Sequence, residues 1–182
     1  MLALCDLLEL ERVVAVGMSQ GGRVALQFAL GHPERVAGMV LQGTPLGGFQ
    51  PGPREEDSVP VSAFRGLVGA GRLAEMKRLW AGHPLMRGVP ADDLLAGYDG
   101  RDLLVDEGPP PPLAAALGRI AAPSLVVTGQ EETAWLQLVG DALAYGIPDA
   151  RRARLPGGHL CNLSHPGPYN EMVASFAAEV AA

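Results

Sequence analysis

The feature that most constrains the fold of this chain is a sharp change of pattern around its first serine. Residues 13–18 read VVAVGM, a short β-branched run typical of a buried strand, and residues 22–30 read GRVALQFAL, which has helical spacing. The turn between them, residues 17–21, reads GMSQG. A G-x-S-x-G turn from a strand into a helix pushes the serine hydroxyl out of the sheet, so the pattern predicts that Ser19 is a nucleophile.

The glycines of this turn have a steric reason. In a tight turn the strand and the following helix pass close to one another, so we expect that neither Gly17 nor Gly21 can carry a Cβ atom. Gly22 extends the same freedom into the helix. The alternative is a plain glycine-rich turn without chemistry, and the order of strand, turn and helix makes that interpretation the weaker one.

A nucleophilic serine needs a base, and the base needs an acid that orients it. Residues 123–129 read PSLVVTG, a buried-strand pattern closed by glycine, and the carboxylates Glu131 and Glu132 follow shortly after it. Further on, the run RLPGGH ends in His159, in a loop that glycine loosens. The chain therefore offers serine, acid and histidine in the order that accompanies a G-x-S-x-G turn.

These segments resemble the α/β-hydrolase fold superfamily, and the resemblance covers essentially the whole chain. The run ELERVVAVGMSQGGRVALQFALGHPERVAGMVLQGTP is similar to the family's elbow strand, its helix and the next strand. The run IAAPSLVVTGQEET is similar to the strand that carries the acid, and PGGHLCNLSHP is similar to the histidine loop. The resemblance implies Ser19 as nucleophile and His159 as base. It implies Glu132 as the acid, where relatives usually have aspartate, with Glu131 as the alternative.

The resemblance also implies the fold class, which is α/β. We expect the C-terminal portion of an α/β-hydrolase fold, with a parallel sheet of about four strands flanked by helices and an inserted helical cap. Residues 1–45 and 119–182 read as the two segments of the hydrolase core. Residues 46–118 hold no β-branched run and contain short apolar helical windows, so they read as the cap. Pro109 to Pro112 form either a return hinge from the cap or a surface loop.

Individual elements follow from the same periodicities. The predicted strands are 12–17, 36–42, 124–128 and 151–155. The predicted helices of the core are 2–10, 21–31, 133–145 and 168–181. The helical windows of the cap are 61–68, 71–81, 91–97 and 112–118.

Composition excludes several classes of protein. The chain has 182 residues, of which 48% are hydrophobic, enough for a real core, and a net charge of −6. With 20 acidic against 14 basic residues it forms no basic stripe, so we expect no nucleic-acid partner. Cys5 and Cys161 are too few for a disulfide framework and suit a reducing compartment. Metal-ligand spacings are absent, and we expect neither a metal nor an organic cofactor.

The first residues, MLALCDLLELER, are apolar but carry acidic side chains and no basic stretch of the kind that opens a signal peptide. We expect an amphipathic helix there. No run in the sequence is long enough to span a bilayer, so we expect no membrane partner. These features predict a cytoplasmic protein.

One part of the family's site has no counterpart in this sequence. The backbone N–H of Gln20 is the expected oxyanion donor that follows the nucleophile, but the second donor belongs to a loop among earlier strands. The sequence begins in the helix before the elbow strand, so we expect an N-terminally truncated fold without that donor. Losing one donor costs about 10²–10³ in turnover. Strand 12–17 is then expected at an open edge of the sheet, where it invites self-association.

A serine nucleophile points to acyl chemistry on an ester, lactone or thioester. The motifs GMSQGG and HLCNLSHP most resemble those of 3-oxoadipate enol-lactonases and related small-molecule esterases. The resemblance implies a serine hydrolase that acts on a small ester or lactone through an acyl-enzyme. The alternative is a non-catalytic binding or assembly module, or an inactive fragment, derived from the same fold, which the missing loop favours.

Overall fold

A computed structural model of the chain describes residues 1–49, 59–105, 108 and 110–181. Its strands form one parallel 4-stranded sheet in the order β1-β2-β3-β4. The strands are β1 (Val13–Met18), β2 (Val36–Gln42), β3 (Ser124–Gly129) and β4 (Ala150–Leu155). The predicted α/β class and the parallel sheet of four strands are confirmed.

Helices connect the strands and cover the sheet. They are α1 (Leu2–Leu7), α2 (Gln20–Gly31), α3 (Val61–Gly69), α4 (Leu73–Ala81), α5 (Ala91–Leu95), α6 (Ala134–Gly146), α7 (Cys161–Ser164) and α8 (Pro166–Val180). Short 3-10 segments lie at Pro33–Arg35, Pro84–Met86, Arg101–Leu104 and Ala114–Arg119. Within the described part of the chain, no helix combines the length and the apolar character needed to cross a bilayer.

The two central strands of the sheet, β2 and β3, are buried on both faces. On one face α2 and α6 pack against the sheet, and Leu26 and Leu143 are fully buried there together with Met39 of β2. On the other face α8 packs against β2 and β3, and its Phe176 is buried in one apolar cluster with Val40 and Val127. The central strands β2 and β3 are therefore apolar almost throughout, because both faces of these strands are covered.

Two predicted helices differ from the structure. The helix predicted at 2–10 ends at Leu7, because Glu9 adopts a φ of 54°, which a right-handed helix does not allow. The window at 112–118 forms a 3-10 segment, Ala114–Arg119, and not an α-helix. It follows the four prolines at 109–112, which lack the backbone N–H groups that an α-helix needs as donors.

Between β2 and β3 the described residues contain the helices α3, α4 and α5 and no strand. The Ala114 N–H donates to the Gly47 carbonyl at 3.0 Å, so the points where the chain leaves and re-enters the sheet layer are tied together. This arrangement suits an inserted cap. The boundaries at 45 and 118 stay a prediction, as does the hinge, since Pro109 lies outside the described residues.

The two edges of the described sheet differ in charge. β4 carries Arg151, Arg152 and Arg154, and charged side chains on an edge strand discourage pairing with another chain. β1 has no charged residue, and Val16 on it is 51% exposed. Its unpaired N–H and C=O groups form a template for a further strand. We therefore expect the chain to self-associate through β1.

Light scattering of the 182-residue chain checks this expectation. Val16→Lys should shift the mass towards the monomer, because a charge on the edge strand must lose water when the edge is covered. Leu138→Lys is the matched control, since Leu138 on α6 is 50% exposed and lies away from β1. A monodisperse wild-type monomer, or an equal effect of the two substitutions, would show that β1 is not the associating surface.

Candidate active site

Ser19 lies in a strained turn between β1 and α2. Its φ of 51° and ψ of −116° fall where a residue with a Cβ atom is disfavoured, and such a conformation persists only when the surroundings impose it. The Ser19 N–H donates to the Gln42 carbonyl at 2.8 Å, and the Gly22 N–H donates to the Ser19 carbonyl at 3.0 Å. The backbone therefore has the sharp strand-to-helix turn that the G-x-S-x-G pattern predicts.

The close approach in this turn involves Gly17 and Gly22. A Cβ atom on Gly17 would overlap the backbone of Gly21 and Gly22, and one on Gly22 would overlap the side chain of Thr44. A Cβ atom on Gly21 would meet nothing within 4 Å. The expectation that Gly21 excludes a side chain is therefore wrong. It is Gly22 that lets α2 pack against the segment after β2.

The second half of the site is a buried pair of His159 and Glu132. Nδ1 of His159 lies 2.7 Å from Oε2 of Glu132, and the two residues are 6% and 7% exposed. The other carboxylate oxygen of Glu132 accepts the Thr133 N–H at 2.9 Å. A carboxylate that accepts the Nδ1 proton leaves Nε2 free as the basic nitrogen. Glu131, the alternative acid, is exposed.

The end of β2 holds the histidine loop in place. Gln42 is fully buried, and its Nε2 donates to the His159 carbonyl at 3.0 Å and to Oδ1 of Asn162 at 2.9 Å. The next residue, Gly43, has a φ of +50°, and a Cβ atom there would meet the His159 ring and the Glu132 carboxylate. Sequence reasoning missed both positions. The available signal was a glutamine at the end of the otherwise apolar strand VAGMVLQ.

A cavity of about 300 Å³ joins the two halves of the site. Ser19, Gln20 and His159 line it together, and its walls are otherwise mostly apolar. The apolar lining residues are Pro45, Leu46, Val59, Val61, Leu85, Pro110, Trp135 and Leu136. Gln20 is the first residue of α2, where the backbone N–H has no partner within the helix and can face an anion. The arrangement is suited to nucleophilic attack on a small, largely apolar molecule.

Cys161 lies directly after the histidine loop and is fully buried. Burial raises the pKa of its thiol, and the nearby charge of Glu132 raises it further. A raised thiol pKa means that the unreactive thiol form is the one present near neutral pH. Cys161 is therefore not a competing nucleophile.

We expect Cys161 in the folded chain to resist an aromatic disulfide reagent at pH 8 and to react once guanidinium unfolds the chain. The control is Cys161→Ser, in which only Cys5 remains to be titrated after unfolding. Reaction of native Cys161 at the rate of the unfolded thiol would contradict both its burial and the direction of its pKa.

Comparison with known proteins identifies the fold of the chain. The family model of the alpha/beta hydrolase fold matches residues 1–83. A 2-hydroxy-6-oxononadienedioate/2-hydroxy-6-oxononatrienedioate hydrolase of Paraburkholderia xenovorans (strain LB400) is 31% identical over 192 residues, which cover 96% of this chain and 65% of that protein. The chain has the α/β-hydrolase fold. The finer resemblance to enol-lactonase-like esterases stays a prediction.

Solved structures of other α/β-hydrolases superimpose on this chain. Est816, described as an N-acyl homoserine lactone degrading enzyme, is 27% identical with a TM-score of 0.67, and the match covers 96% of this chain and 71% of that one. A hydrolase from Pseudomonas aeruginosa PA01 is 27% identical with a TM-score of 0.70, over 96% of this chain and 68% of that one. The present chain spans 65% of the length of the Paraburkholderia hydrolase.

Proposed function

We propose that this α/β-hydrolase chain carries the Ser19, Glu132 and His159 triad of a serine hydrolase acting on a small ester or lactone. The observation that supports the proposal best is the convergence of two independent features on one cavity. A serine in a strained turn and a histidine backed by a buried carboxylate at 2.7 Å both line the same space. Neither feature is needed for a binding module of the same fold.

The proposed reaction runs through an acyl-enzyme. Oγ of Ser19 attacks the substrate carbonyl while Nε2 of His159 takes the hydroxyl proton, and Glu132 stabilises the imidazolium that forms. The backbone N–H of Gln20 faces the developing oxyanion. The alcohol leaves with the proton held by His159. Water then attacks the acyl-enzyme, His159 again takes the proton, and the acid is released as Ser19 regains its hydrogen.

The size of the cavity supports a small substrate. A volume of about 300 Å³ lies at the lower end of the range for small-molecule sites. The names of two relatives point the same way, since one is a hydrolase of an oxononadienedioate and another degrades an N-acyl homoserine lactone. We therefore propose acyl chemistry on a molecule of this size.

Mass spectrometry of the chain during reaction with a short aryl ester tests the proposal. We expect release of the phenolate and a transient acyl mass on the peptide that contains Ser19. The absence of any acyl mass on Ser19 would contradict the proposal and favour a non-catalytic binding or assembly module.

A further inference from the structure

Arg23 is a cation of the proposed active-site cavity that the mechanism does not use. It lies in the first turn of α2, four residues after Ser19, and helical side chains tilt towards the N-terminal end of the helix, which Ser19 precedes. Its side chain lines the cavity together with Ser19 and His159. Its Nε atom is buried and has no hydrogen-bond partner among the residues that the structure describes.

An unpaired buried donor of this kind is unfavourable. A guanidinium N–H removed from water without an acceptor loses its hydration and receives nothing in exchange. The guanidinium of Arg65, by contrast, is hydrogen-bonded. It donates to the carbonyls of Leu103 and Val105. An acceptor supplied by a ligand would complete the hydrogen bonding of Arg23.

The cavity itself contains no compensating negative charge on its described lining. The remaining lining side chains are apolar or neutral, apart from His159, which is engaged with Glu132. A second cavity of about 700 Å³ shares Arg23 and Gln20 with the first. Asp102 lines that second cavity and does not line the first. Arg23 therefore places one positively charged side chain in the described lining of a small, mostly apolar cavity.

We propose that Arg23 binds a free carboxylate of the substrate, so that the preferred substrates are esters or lactones that also carry a carboxylate. This inference rests on the proposed function, because it concerns the same cavity. Gln20 to Arg23 are three steps of α-helix, a rise of about 4.5 Å, and Ser19 precedes them, so the carboxylate sits several bonds from the carbonyl that Ser19 attacks. A monoester of a five-carbon dicarboxylic acid has this spacing.

The chemistry of arginine explains why such a site would discriminate. A guanidinium can donate two parallel hydrogen bonds to one carboxylate, and charge-assisted bonds are about twice as strong as neutral ones. A neutral substrate of the same shape leaves the Arg23 donors unpaired. A site built around a polar partner rejects a ligand that lacks it more strongly than an apolar pocket rejects an extra methylene.

A matched pair of substrates tests the proposal. We expect 4-nitrophenyl hydrogen glutarate to be hydrolysed with at least about tenfold higher kcat/KM than neutral 4-nitrophenyl pentanoate, a difference of about 1.4 kcal/mol. Arg23→Gln should remove this preference, because it lowers kcat/KM for the glutarate ester far more than for the pentanoate. Arg23→Lys should keep part of this preference, because the positive charge remains while the two parallel N–H donors of the guanidinium are lost. Arg119→Gln is the control, since it removes an exposed positive charge that lines neither cavity.

A binding measurement separates this inference from the proposed function. Calorimetric titration of glutarate, with neutral glutaramide as the reference ligand, needs no turnover. Weaker glutarate binding in Arg23→Gln alone supports the carboxylate site even if neither ester is hydrolysed. Hydrolysis of both esters with the same preference in wild type and Arg23→Gln overturns the site and leaves the hydrolase intact. Equal glutarate binding in wild type, Arg23→Gln and Arg119→Gln also overturns it.

Discussion

Replacing Ser19 with alanine should abolish capture of the chain by a fluorophosphonate probe and lower ester turnover by roughly 10³–10⁴. Loss of a triad serine costs on the order of 10⁶ in turnover, and the measurable loss is the part of that range above the detection limit of the assay. Alanine keeps the Cβ atom, so the strained turn and its hydrogen bonds to Gln42 and Gly22 remain. The effect is therefore expected in labelling and in turnover, with the melting temperature unchanged.

The chain provides a matched control for this substitution. Oγ of Ser164 lies 3.0 Å from Nδ1 of His165, so the chain has a contact between a serine and a histidine elsewhere. Ser164 lies in α7, outside the strained turn and the cavity. Ser164→Ala should label like the wild type. Equal labelling of Ser19→Ala and wild type would exclude Ser19 as the nucleophile.

Replacing Glu132 with glutamine should lower ester turnover by about 10⁴ relative to the wild-type chain, or to the detection limit of the assay. Glutamine has nearly the same shape, but its amide can donate to Nδ1 of His159 and favour the tautomer in which Nε2 is no longer basic. The 2.7 Å contact and the burial of both partners make this position sensitive. Steady-state rates and fluorophosphonate labelling of the purified variant provide the measurement.

Glu131→Gln is the matched control, because it removes the same charge from the adjacent position. Glu131 is exposed, and the only effect expected of the substitution is a small change in surface charge. A loss of activity in Glu131→Gln that equals or exceeds the loss in Glu132→Gln would move the acid to the position that the sequence had left open.

The strained turn, the core strands and the candidate residues could be predicted because their signals are local. A β-branched run, a glycine-bounded serine and a helical repeat are contiguous in residues 13–31, so the steric demands of the turn can be read from neighbouring side chains. The strands lie within one residue of their predicted bounds for the same reason. The end of α1 at Leu7 was missed, because the apolar pattern continues past it while the backbone turns at Glu9.

What the sequence by itself determined is the α/β fold, the position of Ser19 and the presence of a carboxylate and a histidine in the right order. Only the tertiary structure decided which carboxylate meets His159, because Glu131 and Glu132 are adjacent and the direction of each side chain depends on how the turn after β3 packs. The structure also revealed the contacts of Gln42 and the unpaired Nε of Arg23. Each depends on segments far apart in the chain, and burial and hydrogen bonding between such segments exist only after folding.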